Sequence, residues 1–187
     1  MPPKVKISKE RVIEAAISLV RSGGAEAINA RTLAAALDCS TQPIFSNFET
    51  MDDLQKAVLE RAHNVYMDFL KNEAERRQYP EYKAFGMAYI RFAKEEKELF
   101  KLLFMCDRTG APLPSTEDFD TSVELIMKNV GLSRERATLM HLETWTSVHG
   151  IATMFATSFL ELDWELVARI LSDVYQGIRA RHISEES

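Results

Sequence analysis

The sequence predicts an all-α protein, and three observations carry that prediction. Apolar residues recur at i, i+3 and i+4 in one stretch after another. Ser, Thr or Asn stands ahead of several of these stretches, where a helix cap belongs, and Gly or Pro closes most of them. Residues 29–48 then read as two short helices joined by a tight turn. A chain of 187 residues can bury a sizeable core in one or two small domains.

The elements follow in order. MPPKVK is expected as a basic arm, and Ser8 to Ser22 as a first helix with Val12, Ala15, Ala16, Leu19 and Val20 on its apolar face. Gly23 and Gly24 end it. Asn29 caps a helix over Ala30–Leu37, with Leu33 and Leu37 four apart and Ala34 small enough for close helix approach. Asp38 and Cys39 form the turn, since Asp tolerates the left-handed conformation. Ser40 is the expected cap of the next helix, with Pro43 in its first turn. Thr50 with Asp53 resembles a capping box and opens a long helix over Met51–Arg77, striped by Leu54, Val58, Ala62, Val65, Phe69 and Leu70.

Beyond Pro80 the spacing predicts helices over Tyr82–Glu95 and Glu98–Cys106, then a loop over DRTGAPLPST. Ser115 with Asp118 is a second capping candidate, opening a helix that reaches Val130 before Gly131. From Ser133 to Leu160 the apolar set (Met140, Leu142, Trp145, Val148, Ile151, Ala152, Met154, Phe155, Phe159) spreads around most of the helix. Such a helix must be buried on more than one side. Asp163–His182 carries a second stripe of Val167, Ile170, Leu171, Val174, Tyr175 and Ile178. A chain this short has too little material to cover both, so a two-fold, four-helix dimer interface through them is expected.

Composition limits the function classes. No apolar run is long enough to span a bilayer and the first residues lack an apolar signal region, so a cytoplasmic protein is expected. Cys39 and Cys106 provide neither a disulfide framework nor a zinc site. The net charge of −5 argues against nucleic acid until it is divided. Residues 1–50 hold six cationic against five anionic side chains, a net of +1, and the remainder carries −6. A weakly positive N-terminal module on an acidic body is compatible with DNA binding. No nucleophile elbow, phosphate-cradling loop or paired catalytic carboxylates occur, so neither enzyme nor cofactor is expected.

The second helix of the 29–48 stretch has only Ile44 and Phe48 as an apolar i, i+4 pair. Thr41, Gln42, Phe45, Ser46 and Asn47 are left outside. A short helix with so small a buried face and a neutral polar exterior suits a DNA major groove. A surface hairpin with no partner is the competing reading.

From Val12 to Leu59 the chain resembles the DNA-binding domain of the TetR-type transcriptional regulators. The matching pieces are IEAAISLVRSGG, RTLAAALDCSTQPIFSNF and ETMDDLQKAV, including Gly23, Gly24, Ser40, Phe45, Phe48, Asp52, Asp53 and Leu54. WTSVHG (Trp145–Gly150) is similar to the Trp-x-x-x-His-Gly signature of one C-terminal domain type in such regulators, and AYIRFAKEEKELFKLLF resembles earlier helices of that domain. The resemblance implies a three-helix, helix-turn-helix DNA-binding domain over residues 1–50 and a helical effector-binding and dimerisation domain over 51–187. It implies a homodimeric, ligand-responsive repressor of a palindromic operator. A helical small-molecule-binding or protein-interaction module without DNA binding is the alternative.

By the resemblance, DNA contacts fall on Thr41, Gln42, Phe45, Ser46 and Asn47, with Arg31 and Thr32 reaching from the preceding helix. Gln42 suits adenine, which an amide pairs bidentately, while Thr41, Ser46 and Asn47 suit phosphates. Two positions depart from the family pattern: Phe45 stands where Tyr is common and Met51 where Lys is common, each removing a phosphate contact. His141, Trp145 and His149 lie four apart on one helical face. With Tyr89 and Met105 they line an expected pocket for a largely apolar effector. Plain core packing with locally bonded histidines is the other reading, and no metal site is expected there because no third ligand falls at the right spacing.

Overall fold

The computed structural model describes residues 7–106 and 116–184. The expected arm (residues 1–6), the loop over 107–115 and the Ser115–Asp118 cap lie outside the described residues. Nine α-helices and one short 3-10 turn, with no strand, make up the described elements. None of these helices is long and apolar enough to cross a membrane. The chain divides into two compact units, residues 1–68 with 96–106, and residues 69–95 with 107–187.

In the first unit, α1 (Lys9–Gly23) starts at Ser8, whose Oγ accepts from the Arg11 N–H at 3.2 Å. It ends at Gly24, which sits at φ +75°, where an L side chain would be strained. Val12, Ala16, Ile17 and Val20 are its buried face, so Ile17 joins the expected stripe. They meet Leu33 and Ala34 of α2 (Ala30–Ala36), Ile44 of α3 (Gln42–Asn47) with Phe48, and Leu54, Val58 and Ala62 of α4 (Met51–Glu75). Leu99 and Phe100 of α6 (Lys97–Phe104) complete this unit's core, both fully buried. Outside that core, Arg21 of α1 forms a bidentate ion pair with Glu96, at 2.8 and 2.7 Å.

Two expectations about helix ends change here. Ser40 does not cap α3: the flanking residue is Thr41, in the helical region at φ −70°, ψ −17°, and its side chain makes no cap bond. Pro43 withholds one of the two N–H groups that a Ser40 cap could bond, leaving only that of Gln42. The helical bonding begins at Thr41, whose carbonyl accepts from the Phe45 N–H at 3.3 Å. The Ile44 N–H is already taken by the Thr41 carbonyl at 3.1 Å. The long helix also stops at Glu75, two residues short of Arg77, which turns left-handed at φ 52°.

The second unit is built on α5 (Glu81–Glu95), α7 (Thr116–Val130), α8 (Arg134–Ala156) and α9 (Trp164–Ser184), with residues 69–75 of α4. Met87, Ala88, Ile90, Phe92 and Ala93 of α5 are fully buried. Val123 and Ile126 of α7 pack with Leu132, Ala137 and Met140, flanked by Tyr82, Tyr175 and Ile178.

α8 ends at Ala156, four residues before the expected Leu160. Ser158 adopts φ 55°, its N–H bonds the Phe155 carbonyl at 3.1 Å, and the Phe159 N–H bonds the Met154 carbonyl at 3.0 Å. That pair of bonds is a Schellman motif, which satisfies the last carbonyls and turns the chain out. Phe159 is consequently 81% exposed. Within one chain α8 buries a single broad face, and Leu139 and Leu142 remain exposed on the others.

Candidate functional site

The helix-turn-helix is set by local bonds. Asn29 Oδ1 accepts from the N–H groups of Arg31 and Thr32, both at 3.0 Å, and Thr32 Oγ1 accepts from the Asn29 N–H at 3.1 Å. Asp38 takes φ 50° in the turn, and the Cys39 N–H returns to the Ala34 carbonyl at 2.9 Å. Ile44 and Phe48 point into the core at 0% and 4% exposure. Thr41, Gln42, Phe45 and Ser46 therefore face outward and Asn47 is half-buried.

These residues differ in what they still offer. The Ser46 hydroxyl donates to the Gln42 carbonyl at 2.9 Å. Asn47 Nδ2 donates to the Pro43 carbonyl at 2.7 Å and to the Ile7 carbonyl at 3.1 Å, using both its N–H bonds. Thr32 Oγ1 donates toward the Ala27 carbonyl at 2.7 Å while serving the cap. The donors of Ser46, Asn47 and Thr32 are thus committed to the chain itself. Gln42, Thr41 and Arg31 are exposed, and among the described residues their side chains make no hydrogen bond.

The second unit brings Tyr89, Trp145 and His149 together. Tyr89 Oη and His149 Nδ1 share a 2.9 Å hydrogen bond, and the His149 ring stacks on Trp145 at 4.9 Å and 26°. Burial lowers the His149 pKa, favouring neutral imidazole. His141 pairs instead with Tyr82, again at 2.9 Å. Burial drives the His141 pKa down to about 4 and raises that of Tyr82. Met105 belongs to the first unit, just after α6, and is exposed.

Sequence reasoning passed over Tyr82. The signal was present: Tyr82 and Tyr89 are seven apart on α5, and His141 and His149 eight apart on α8, so the pairs repeat in step. It also passed over Glu73, a carboxylate standing where the Phe69–Leu70 stripe calls for an apolar residue. Glu73 is 2% exposed and its Oε2 accepts from Arg91 Nε at 3.0 Å and Arg76 Nη1 at 3.1 Å. The Arg91 guanidinium in turn lies over the Trp164 ring, 4.6 Å from its centroid. Glu143, expected to point away from the histidine face, pairs with Arg181 and His182 of α9.

Residues 82–174 match the tetracyclin repressor-like C-terminal domain family. No curated protein matches the sequence. Among solved structures, a TetR-like transcriptional regulator from Rhodococcus sp. RHA1 superposes with a TM-score of 0.66 at 13% identity, over 98% of each chain. A TetR family member from Streptomyces coelicolor A3 gives 0.60 at 17% identity, over 88% of this chain and 96% of that one. The multidrug binding protein EbrR, complexed with imidazole, gives 0.60 at 17% identity, over 88% of this chain and 93% of that one. These likenesses concern the fold. Over residues 82–174, just under half of its length, the chain is therefore similar to the tetracyclin repressor-like C-terminal domain, and it shares the all-helical fold of these solved structures.

Proposed function

We propose that the chain is a homodimeric, effector-responsive repressor that binds a palindromic operator through the outer face of α3. The single observation that carries this reading is that face itself. A six-residue helix buries only Ile44 and holds Thr41, Gln42 and Phe45 out to solvent on a turn fixed by the Asn29 cap. Gln42 is the base-reading residue, with Thr41 and Arg31 as phosphate donors. Residues 1–50 serve DNA binding, and residues 51–187 serve effector binding and dimerisation through α8 and α9. The exposed Leu139 and Leu142 support that pairing, since a partner helix would cover them. Tyr89, His141, Trp145 and His149 are assigned to a largely apolar effector, a reading supported by the multidrug binding described for EbrR. The C-terminal domain is assigned to the Trp-x-x-x-His-Gly subtype on Trp145, His149 and Gly150.

The mechanism is a population shift. Effector binding favours a conformation in which α4 carries the two recognition helices away from the roughly 34–36 Å spacing of successive major-groove faces. A gel-shift titration against duplexes selected from a random pool tests the first step. Replacing Thr41 and Gln42 together by Ala should cost about 10-fold or more in affinity. Unchanged binding by that variant would move the reading surface elsewhere.

A further inference from the structure

We infer that Phe45 reads a thymine 5-methyl group by direct apolar contact in the major groove, setting operator preference together with Gln42. The inference rests on the DNA-binding reading above and specifies what α3 recognises. Phe45 is 49% exposed on the outer face of α3, while its neighbours Ile44 and Phe48 go inward. It has no ring or cation partner among the described residues. An aromatic ring held out on a short helix gains nothing from a phosphate, because it lacks a donor. Base edges in the major groove show one apolar feature, the thymine methyl.

The other side chains of α3 sharpen the case. With the Ser46 and Asn47 donors spent on the Gln42, Pro43 and Ile7 carbonyls, the helix presents one amide and one ring. Gln42 and Phe45 are three apart on a helix, so they lie side by side on one face. Three residues rise about 4.5 Å along the helix, close to one base step of about 3.4 Å. The amide therefore meets an adenine and the ring a thymine at the same or an adjacent base pair.

The test uses the full chain and duplexes that it selects from a random pool. Deoxyuridine replaces thymine one position at a time, which deletes the methyl and leaves base pairing intact. One symmetry-related thymine pair should lose about fourfold in affinity per methyl, and the Phe45→Ala variant should bind the thymine and deoxyuridine duplexes alike. That coupling is a readout that a merely structural Phe45 would not produce. Equal binding of every deoxyuridine duplex by the wild type overturns the inference and leaves the DNA-binding reading standing. A Phe45→Ala variant as sensitive to deoxyuridine as the wild type assigns the contact to another residue, which also overturns it. Failure to select any duplex removes the DNA-binding reading and the inference with it.

Discussion

The two units differ in where their polar side chains work hardest. In the first, they close helix ends at the surface: Ser8 on α1, Asn29 with Thr32 on α2, and Thr50 with Asp53 on α4, where the Thr50 N–H donates to Asp53 Oδ2 at 3.1 Å and the Asp53 N–H to Thr50 Oγ1 at 3.1 Å. In the second, they cross between helices with at least one partner buried, as in Tyr82–His141, Tyr89–His149 and Glu73–Arg91. Surface caps cost little to desolvate and fix where a helix starts. Buried cross-links fix how helices register, and they become liabilities when one partner is lost.

The largest expected effect follows from that asymmetry. Arg91→Ala leaves the Glu73 side chain, 1% exposed, with only the half-exposed Arg76 as counter-charge. Urea unfolding should show a loss of about 3–5 kcal/mol, whereas replacing both Glu73 and Arg91 by Met should be close to neutral. A small loss for Arg91→Ala would break the contrast between the units.

Next comes pH. The folded-state pKa of His141 is depressed to about 4 from 6.5 by burial, so the unfolded chain binds more protons between those values. Stability is therefore fully present above about pH 6.5 and lost as pH falls toward 4, by about 3 kcal/mol over the window. His141→Phe should flatten that slope in the denaturation midpoint measured against pH. His149, shifted in the same direction, contributes with the same sign.

A cap in the first unit should matter less. Asn29→Ala removes the acceptor for two N–H groups and should lower stability by about 1 kcal/mol, read as a shift of the thermal midpoint. Smallest of all is Arg61→Ala. Its 2.6 Å pair with Glu14 is exposed on both sides, and its loss should stay below about 0.5 kcal/mol. A larger loss at Arg61 than at Asn29 would reverse the ordering within the first unit.

The same contrast explains what could be read from the sequence. Ends set by local chemistry were legible: Ser8, Asn29, the Thr50–Asp53 box, Ser133, Gly24 and Gly131 all sit where their residue types place them. Ser40 misled because α3 begins one residue later, with Thr41 as its flanking residue. The end of α8 was hidden because Ser158 occupies the left-handed position that glycine or asparagine usually fills. Among long-range choices, the grouping of Tyr89 with Trp145 and His149 was legible and most others were not. Nothing local tells α6 to share a core with α1, or Tyr82 to take His141 as its partner. The commitment of Ser46 and Asn47 to backbone carbonyls, too, is visible only once α3 is formed.

At six residues, α3 lies far below the length at which a helix holds together in water unaided. Its shape is lent to it by Ile44 and Phe48, anchored among the side chains of α1 and α2. The outer face that Thr41, Gln42 and Phe45 present is thus only as durable as the burial of Ile44 and Phe48 beneath it.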